Sequence, residues 1–149
     1  MYSYKVIKYS PLEMSSIDTD KFILLNDFSI TVINTDNSNE KYTIKISKGA
    51  IWDGLSIPKM FRWFLPEIDY TNTLYSASGL VHDGLYASEL LPKDKADDIF
   101  RSILRDSGIS RFKGSTAHWC VSNFAKCHYG KKHDTNSLGK YVNIIWYRG

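Results

Sequence analysis

Cysteine is scarce in this chain, with two residues in 149, Cys120 and Cys127. They lie seven apart in a stretch that reads as one helix, so their Cα atoms would sit roughly 10 Å apart, too far for a disulfide. Two reduced thiols suit a cytoplasmic protein and exclude a disulfide-stapled secreted scaffold. No apolar run reaches the roughly 20 residues that a membrane-spanning helix needs. The opening Met1-Tyr2-Ser3-Tyr4-Lys5 has none of the apolar core of a secretory signal. There is no internal repeat and no Pro- or Gly-rich linker. The motifs G-x-x-x-x-G-K-[ST] and G-x-S-x-G are absent, which excludes a P-loop and a nucleophile elbow. His118, Cys120, Cys127 and His128 do not form a paired C-x2-C set, and neighbours among them diverge on a helix, which argues against zinc.

What is present suits one domain spanning 1–149. Hydrophobic residues make up 43% and aromatic residues 14%, enough for a real core, so wholesale disorder is unexpected. Charge is uneven. Residues 1–100 carry 10 basic and 14 acidic side chains, whereas residues 101–149 carry 9 basic and 2 acidic. The basic third contains Lys126, Lys131, Lys132 and Lys140, a patch able to meet nucleic acid, anionic lipid or an acidic protein. The plainer reading of that patch is a solvated basic face.

The periodicity predicts an α+β protein. Residues 22–33 and 41–47 are rich in β-branched and aromatic residues and flank the turn cluster 34–40, the pattern of an antiparallel hairpin. The alternating segment 2–9 adds a strand or arm. Pro58 opens a short apolar helix that ends at Pro66. Residues 73–90 read as a longer helix with an apolar stripe at Leu74, Ala77, Val81 and Leu85. Its Gly79 and Gly84 suit a close approach by another backbone, so this helix is expected to be central. Residues 93–106 form a helix with Ala96, Ile99, Phe100 and Ile103 inward, closed by Gly108. A further helix covers 111–129, with Trp119, Phe124 and Cys127 among its apolar positions. Residues 130–140 read as a polar loop and 141–147 as a closing strand. The architecture is an N-terminal antiparallel sheet, then a bundle of three to four helices, then a C-terminal strand.

The sharpest chemical feature is Val81-His82-Asp83-Gly84-Leu85-Tyr86. On a helix His82 and Tyr86 share a face, while Asp83 points about 100° away from His82. Histidine is the natural general base near neutral pH, and Asp83 is a hard-cation ligand by type. Asp97 and Asp98 on the next helix can bring one carboxylate to His82, the recurring arrangement of an oriented base. The structural alternative is a histidine capped inside a helix pair. Asp53-Gly54-Leu55-Ser56-Ile57-Pro58 is a second candidate, with Asp53 as a metal ligand and Ser56 beside it. Turn and cap chemistry explains the same residues.

Three segments in this order carry a resemblance: Lys48 to Pro58, Val81 to Tyr86, and Ala96-Asp97-Asp98-Ile99-Phe100. Together they resemble a phage and prophage family known as domain of unknown function 1353, over about residues 45–125. That resemblance implies a phage source, in the host cytoplasm or the virion, and supplies no activity. The pair His-Asp-x-x-Tyr and Ala-Asp-x-x-Phe also resembles the catalytic helices of phospholipases A2. That likeness implies His82 as base, Asp83 as calcium ligand, Asp97 as the orienting carboxylate and Tyr86 in their hydrogen-bond network. The glycine-rich calcium loop of that family is missing, unless residues 49–56 replace it.

Three functions follow as expectations. The first is a hydrolase of a lipid or other ester, with calcium as its cofactor. The second is a non-enzymatic phage protein, either a virion or tail-assembly component or an inhibitor bound to a host defence protein. The third, ranked last, is nucleic-acid binding through the basic third. The catalytic reading requires His82 in a concave, water-accessible site with Asp97 in hydrogen-bond reach of one ring nitrogen.

Overall fold

The computed structural model describes residues 3–18, 21–52, 65, 68–124 and 136–147. The α+β order is the expected one. Strands β1 (Tyr4–Tyr9), β2 (Met14–Asp18), β3 (Lys21–Leu24), β4 (Phe28–Asn34), β5 (Lys41–Ile46) and β6 (Ile51–Trp52) come first. Helices α1 (Thr73–Ser88), α2 (Lys93–Asp106), α3 (Arg111–Phe124) and the short α4 (Asn136–Gly139) follow, and β7 (Val142–Tyr147) comes last. The helix expected after Pro58 and the end of the 111–129 helix lie outside the described residues.

The β4–β5 hairpin forms because Asn34 turns the chain. Its side-chain oxygen accepts from the backbone N–H of Asp36 at 2.8 Å and of Asn37 at 3.1 Å. The main sheet has the order β1-β4-β5-β7, antiparallel throughout. Alternation then sorts the side chains. Phe28, Ile30 and Val32 on β4 are buried with Tyr42, Ile44 and Ile46 on β5. On the opposite face the partners Thr31 and Thr43 share a 2.8 Å hydrogen bond.

The composition of residues 22–33 predicts one β stretch, and the structure has two. The chain bends at Leu25 and Asn26, so β3 joins a second sheet of order β2-β3-β6 while β4 joins the first. Asp27 holds the break by accepting from the Lys48 N–H at 2.8 Å. The polar loop expected at 130–140 contains α4. Gly139 makes it fit, because a Cβ there would stand 2.9 Å from the Ala87 carbonyl oxygen.

α1 is the central helix, and it is buried on almost every face rather than along one stripe. Asn72 caps its start, accepting from the Tyr75 N–H at 3.0 Å. Gly84 brings it onto the sheet, since a Cβ there would meet Val142 at 3.0 Å and Ile46 at 3.6 Å. α2 packs beside it and closes the edge of β1. Asp98, Ser102 and Asp106, spaced four apart, accept from the N–H groups of Ser3 (3.0 Å), Tyr4 (3.2 Å) and Val6 (2.8 Å). These bonds satisfy outward-facing strand groups that would otherwise invite another chain. On α3 Trp119, one of the apolar positions named from the sequence, is 52% exposed, whereas Ala117 and Cys120 are buried.

Candidate functional site

The site lies between α1 and α2. Ala96 is fully buried there, and its small side chain lets the two helices close on each other. Helical spacing puts His82 and Tyr86 on one face of α1, and their ring centroids are 4.0 Å apart. Phe100 of α2 covers another side of the imidazole at 4.8 Å. The same face of α2 delivers Asp97, whose Oδ1 is 2.9 Å from His82 Nε2. Tyr86 donates its hydroxyl to the same oxygen. Lys93, one turn before Asp97, donates to Oδ2 at 2.6 Å.

The electrostatics follow from this geometry. Burial alone would raise the Asp97 carboxyl, but the hydrogen bonds from His82, Lys93 and Tyr86 more than offset it. Asp97 is therefore held well below the usual carboxylate range and is ionised. Burial pushes His82 down from its ordinary value; the bond to Asp97 opposes the fall and the Lys93 charge adds to it. The pair is thus a neutral imidazole against an ionised carboxylate at neutral pH.

The expected hydrogen bond to Asp97 is present, whereas the expected open, concave setting is not. His82 is 2% exposed. Its second ring nitrogen, Nδ1, makes no hydrogen bond to a described residue and is not among the buried polar atoms lacking a partner.

Of the two candidate carboxylates on α2, Asp97 and Asp98, it is Asp97 that faces His82. Asp98 faces β1 instead, where it accepts from Ser3, because adjacent helical positions point about 100° apart. Asp83 is half-buried. Among the described residues, no three His, Cys, Asp or Glu side chains converge as a metal site. Asp53 and Ser56 lie outside the described residues, as do Lys126, Lys131 and Lys132. Lys140 is exposed beyond α4.

Sequence reasoning misses Lys93, although its Lys-to-Asp spacing of four is a usable signal. It also sets His118 aside with the cysteines. His118 stands on α3 within electrostatic range of Asp97, His82 and Arg101, and burial and the Arg101 charge hold it below its ordinary value.

Among known proteins, the family model described as a protein of unknown function (DUF1353) matches residues 30–121. That span contains most of β4, all of β5, α1 and α2, and the whole His82–Asp97 pair. No curated protein matches the chain. No solved structure matches it.

Proposed function

This chain belongs to the DUF1353 family of proteins of unknown function, and within it we propose that His82 is the general base of a hydrolase-like site. The observation that carries this reading is the neutral His82 held through Nε2 by an ionised Asp97, with Nδ1 making no hydrogen bond to a described residue. In the proposed reaction, Nδ1 takes a proton from a water molecule. The hydroxide forms a bond to the carbonyl carbon of an ester, and the ester C–O bond breaks. The imidazolium returns its proton to the leaving alkoxide. Asp97 stabilises the imidazolium in between, with Lys93 and Tyr86 fixing the carboxylate. The likeness to phospholipases A2 makes a lipid ester the first substrate to try. Calcium at Asp83 is the matching cofactor proposal. The described donors do not assemble a calcium site, so no step here is routed through the metal.

The near-complete burial of His82 favours a second reading, a phage-encoded binding protein in which the pair locks α1 to α2. Its partner would be another virion or tail component or a host defence protein.

The deciding experiment measures hydrolysis of chromogenic esters and of phosphatidylglycerol vesicles, with calcium or with chelator. His82→Gln and Asp97→Asn are run beside the wild type. The expected result is wild-type turnover that falls on the order of 10²–10⁴-fold in His82→Gln. Calorimetry on Asp83→Asn tests the metal separately, with calcium binding expected in the wild type and lost in the variant. No wild-type turnover on any substrate overturns the catalytic reading in favour of the binding one.

A further inference from the structure

We propose that the free edge of β7 takes an extended peptide of alternating apolar and acidic residues as an added strand of the main sheet. This inference is independent of whether His82 acts as a base. The pairing of β5 with β7 fixes which backbone groups are free. Ser47 N–H donates to the Tyr141 carbonyl oxygen at 2.9 Å, so these two residues form a hydrogen-bonded pair. Such pairs alternate along an antiparallel ladder. Lys45 with Asn143, Thr43 with Ile145 and Lys41 with Tyr147 are therefore the next bonded pairs. The N–H and C=O groups of Val142, Ile144 and Trp146 point the other way, off the sheet. Among the described residues, nothing hydrogen-bonds to them there.

The two edges of the main sheet differ. At the β1 edge, Asp98, Ser102 and Asp106 accept from the outward N–H groups of Ser3, Tyr4 and Val6. The β7 edge has no such cover. Its six residues, VNIIWY, include no proline and no charge, and its register with β5 has no bulge. Those are the devices by which a sheet edge refuses another strand.

Charge selects the occupant. In the register Lys45 stands beside Asn143 and Lys41 beside Tyr147, and Lys140 precedes the strand. β5 and β7 hold no acidic residue. Lys45 and Lys140 are exposed, and among the described residues neither has an ion pair. A second copy docked through its own β7 would bring more lysines to this edge. An acidic strand answers them instead. Neighbouring strands lie about 4.8 Å apart, so an added strand runs about 10 Å from β5, a gap that a lysine and a glutamate together span across Asn143. The other face of β7 asks for apolar partners. Ile144 and Trp146 stand beside Ile44 and Tyr42 in the register, and Trp146 is still 53% exposed. Its ring packs edge-on against Tyr42 at 4.7 Å, which fixes it as an apolar wall. In strand addition the backbone bonds supply affinity and the alternate side chains supply specificity.

The test is a nuclear magnetic resonance titration of the nitrogen-15-labelled full chain with a capped peptide of four Val-Glu repeats. A Val-Lys peptide and a Val-Glu peptide N-methylated at alternate residues are the controls. Saturable shifts are expected, larger at the amides of Val142, Ile144 and Trp146 than at Asn143, Ile145 and Tyr147, which already bond to β5. Binding of each control is expected to be at least tenfold weaker. Ile144→Pro removes an outward donor and leaves the β5 ladder whole, so it should weaken Val-Glu binding at least tenfold. Lys45→Glu should do the same, and it decides the matter if Ile144→Pro does not fold. Absence of saturable binding, shifts confined to other strands, or equal affinity for the Val-Glu and Val-Lys peptides overturns the proposal. Sedimentation of the free protein is expected to show a monomer. A dimer that Ile144→Pro dissociates would give the edge to a second copy and overturn the proposal as well.

Discussion

Replacing Asp97 by Asn keeps the shape of the side chain and removes the charge that His82, Tyr86 and Lys93 all address. The asparagine amide can answer only part of that set, and hydrogen bonds to charged groups contribute about 1.5–3 kcal/mol each. Asp97→Asn is therefore expected to destabilise the fold by about 2–3 kcal/mol, read as a lower urea midpoint. The pH dependence has a definite sign. His82 has a lower pKa folded than unfolded, where it is about 6.5. Its contribution is complete above that value and is lost as pH falls below it, because the unfolded chain then binds the extra proton. Asp97 is also depressed, so its contribution persists to lower pH and is lost only below the ordinary carboxylate range. Thermal melts are expected to show the wild type losing stability as pH falls below about 6.5. His82→Gln should flatten that slope. An equal slope in the two proteins would assign the pH response to another group.

At the scale of elements, α2 has two working faces. One presents Asp97 and Phe100 to α1, and the other presents Asp98, Ser102 and Asp106 to the β1 edge. A third contact ties the helix to the hairpin. Lys95 donates to Glu40 at 2.9 Å, and Tyr4 and Tyr42 donate to the same oxygen at 2.5 and 2.6 Å. Burial would raise Glu40, but these bonds bring it down to about 2. The strand-capping face makes a local prediction. Asp106→Ala leaves the Val6 N–H without its acceptor, at a cost of about 1–3 kcal/mol. The matching readout is faster amide hydrogen exchange at Val6 than at Ile30 or Ile44 in the sheet interior.

At the scale of the molecule, the first and last strands are both edges of the main sheet. β7 pairs with β5 from Val142 against Ile46 to Tyr147 against Lys41. Removing residues 142–149 would strip β5 of that partner and expose the core face that Val142 helps to cover. A chain ending at Tyr141 is expected to lose its cooperative thermal transition and to aggregate, since β5 becomes an open, apolar edge. A sharp transition in the truncated protein would show that β7 is an accessory strand.

Much of the fold was legible because local rules governed it. The β4–β5 hairpin follows from alternation and Asn34, and α2 follows from its apolar spacing and Gly108. The helix spacing also put His82 and Tyr86 on one face, and the family likeness put Asp97 rather than Asp98 at the histidine. Local rules stop where partners are distant in the chain. The break between β3 and β4 depends on which sheet each strand finds, and the burial of α1 on every side depends on what packs around it. Nothing local brings Tyr4, Glu40 and Lys95 to one point. The amino-acid sequence determined the elements and the chemical types at hand. Tertiary packing decided that His82 is enclosed and that Asp98 serves a strand, because burial and long-range hydrogen bonds are properties of neighbours and not of order along the chain.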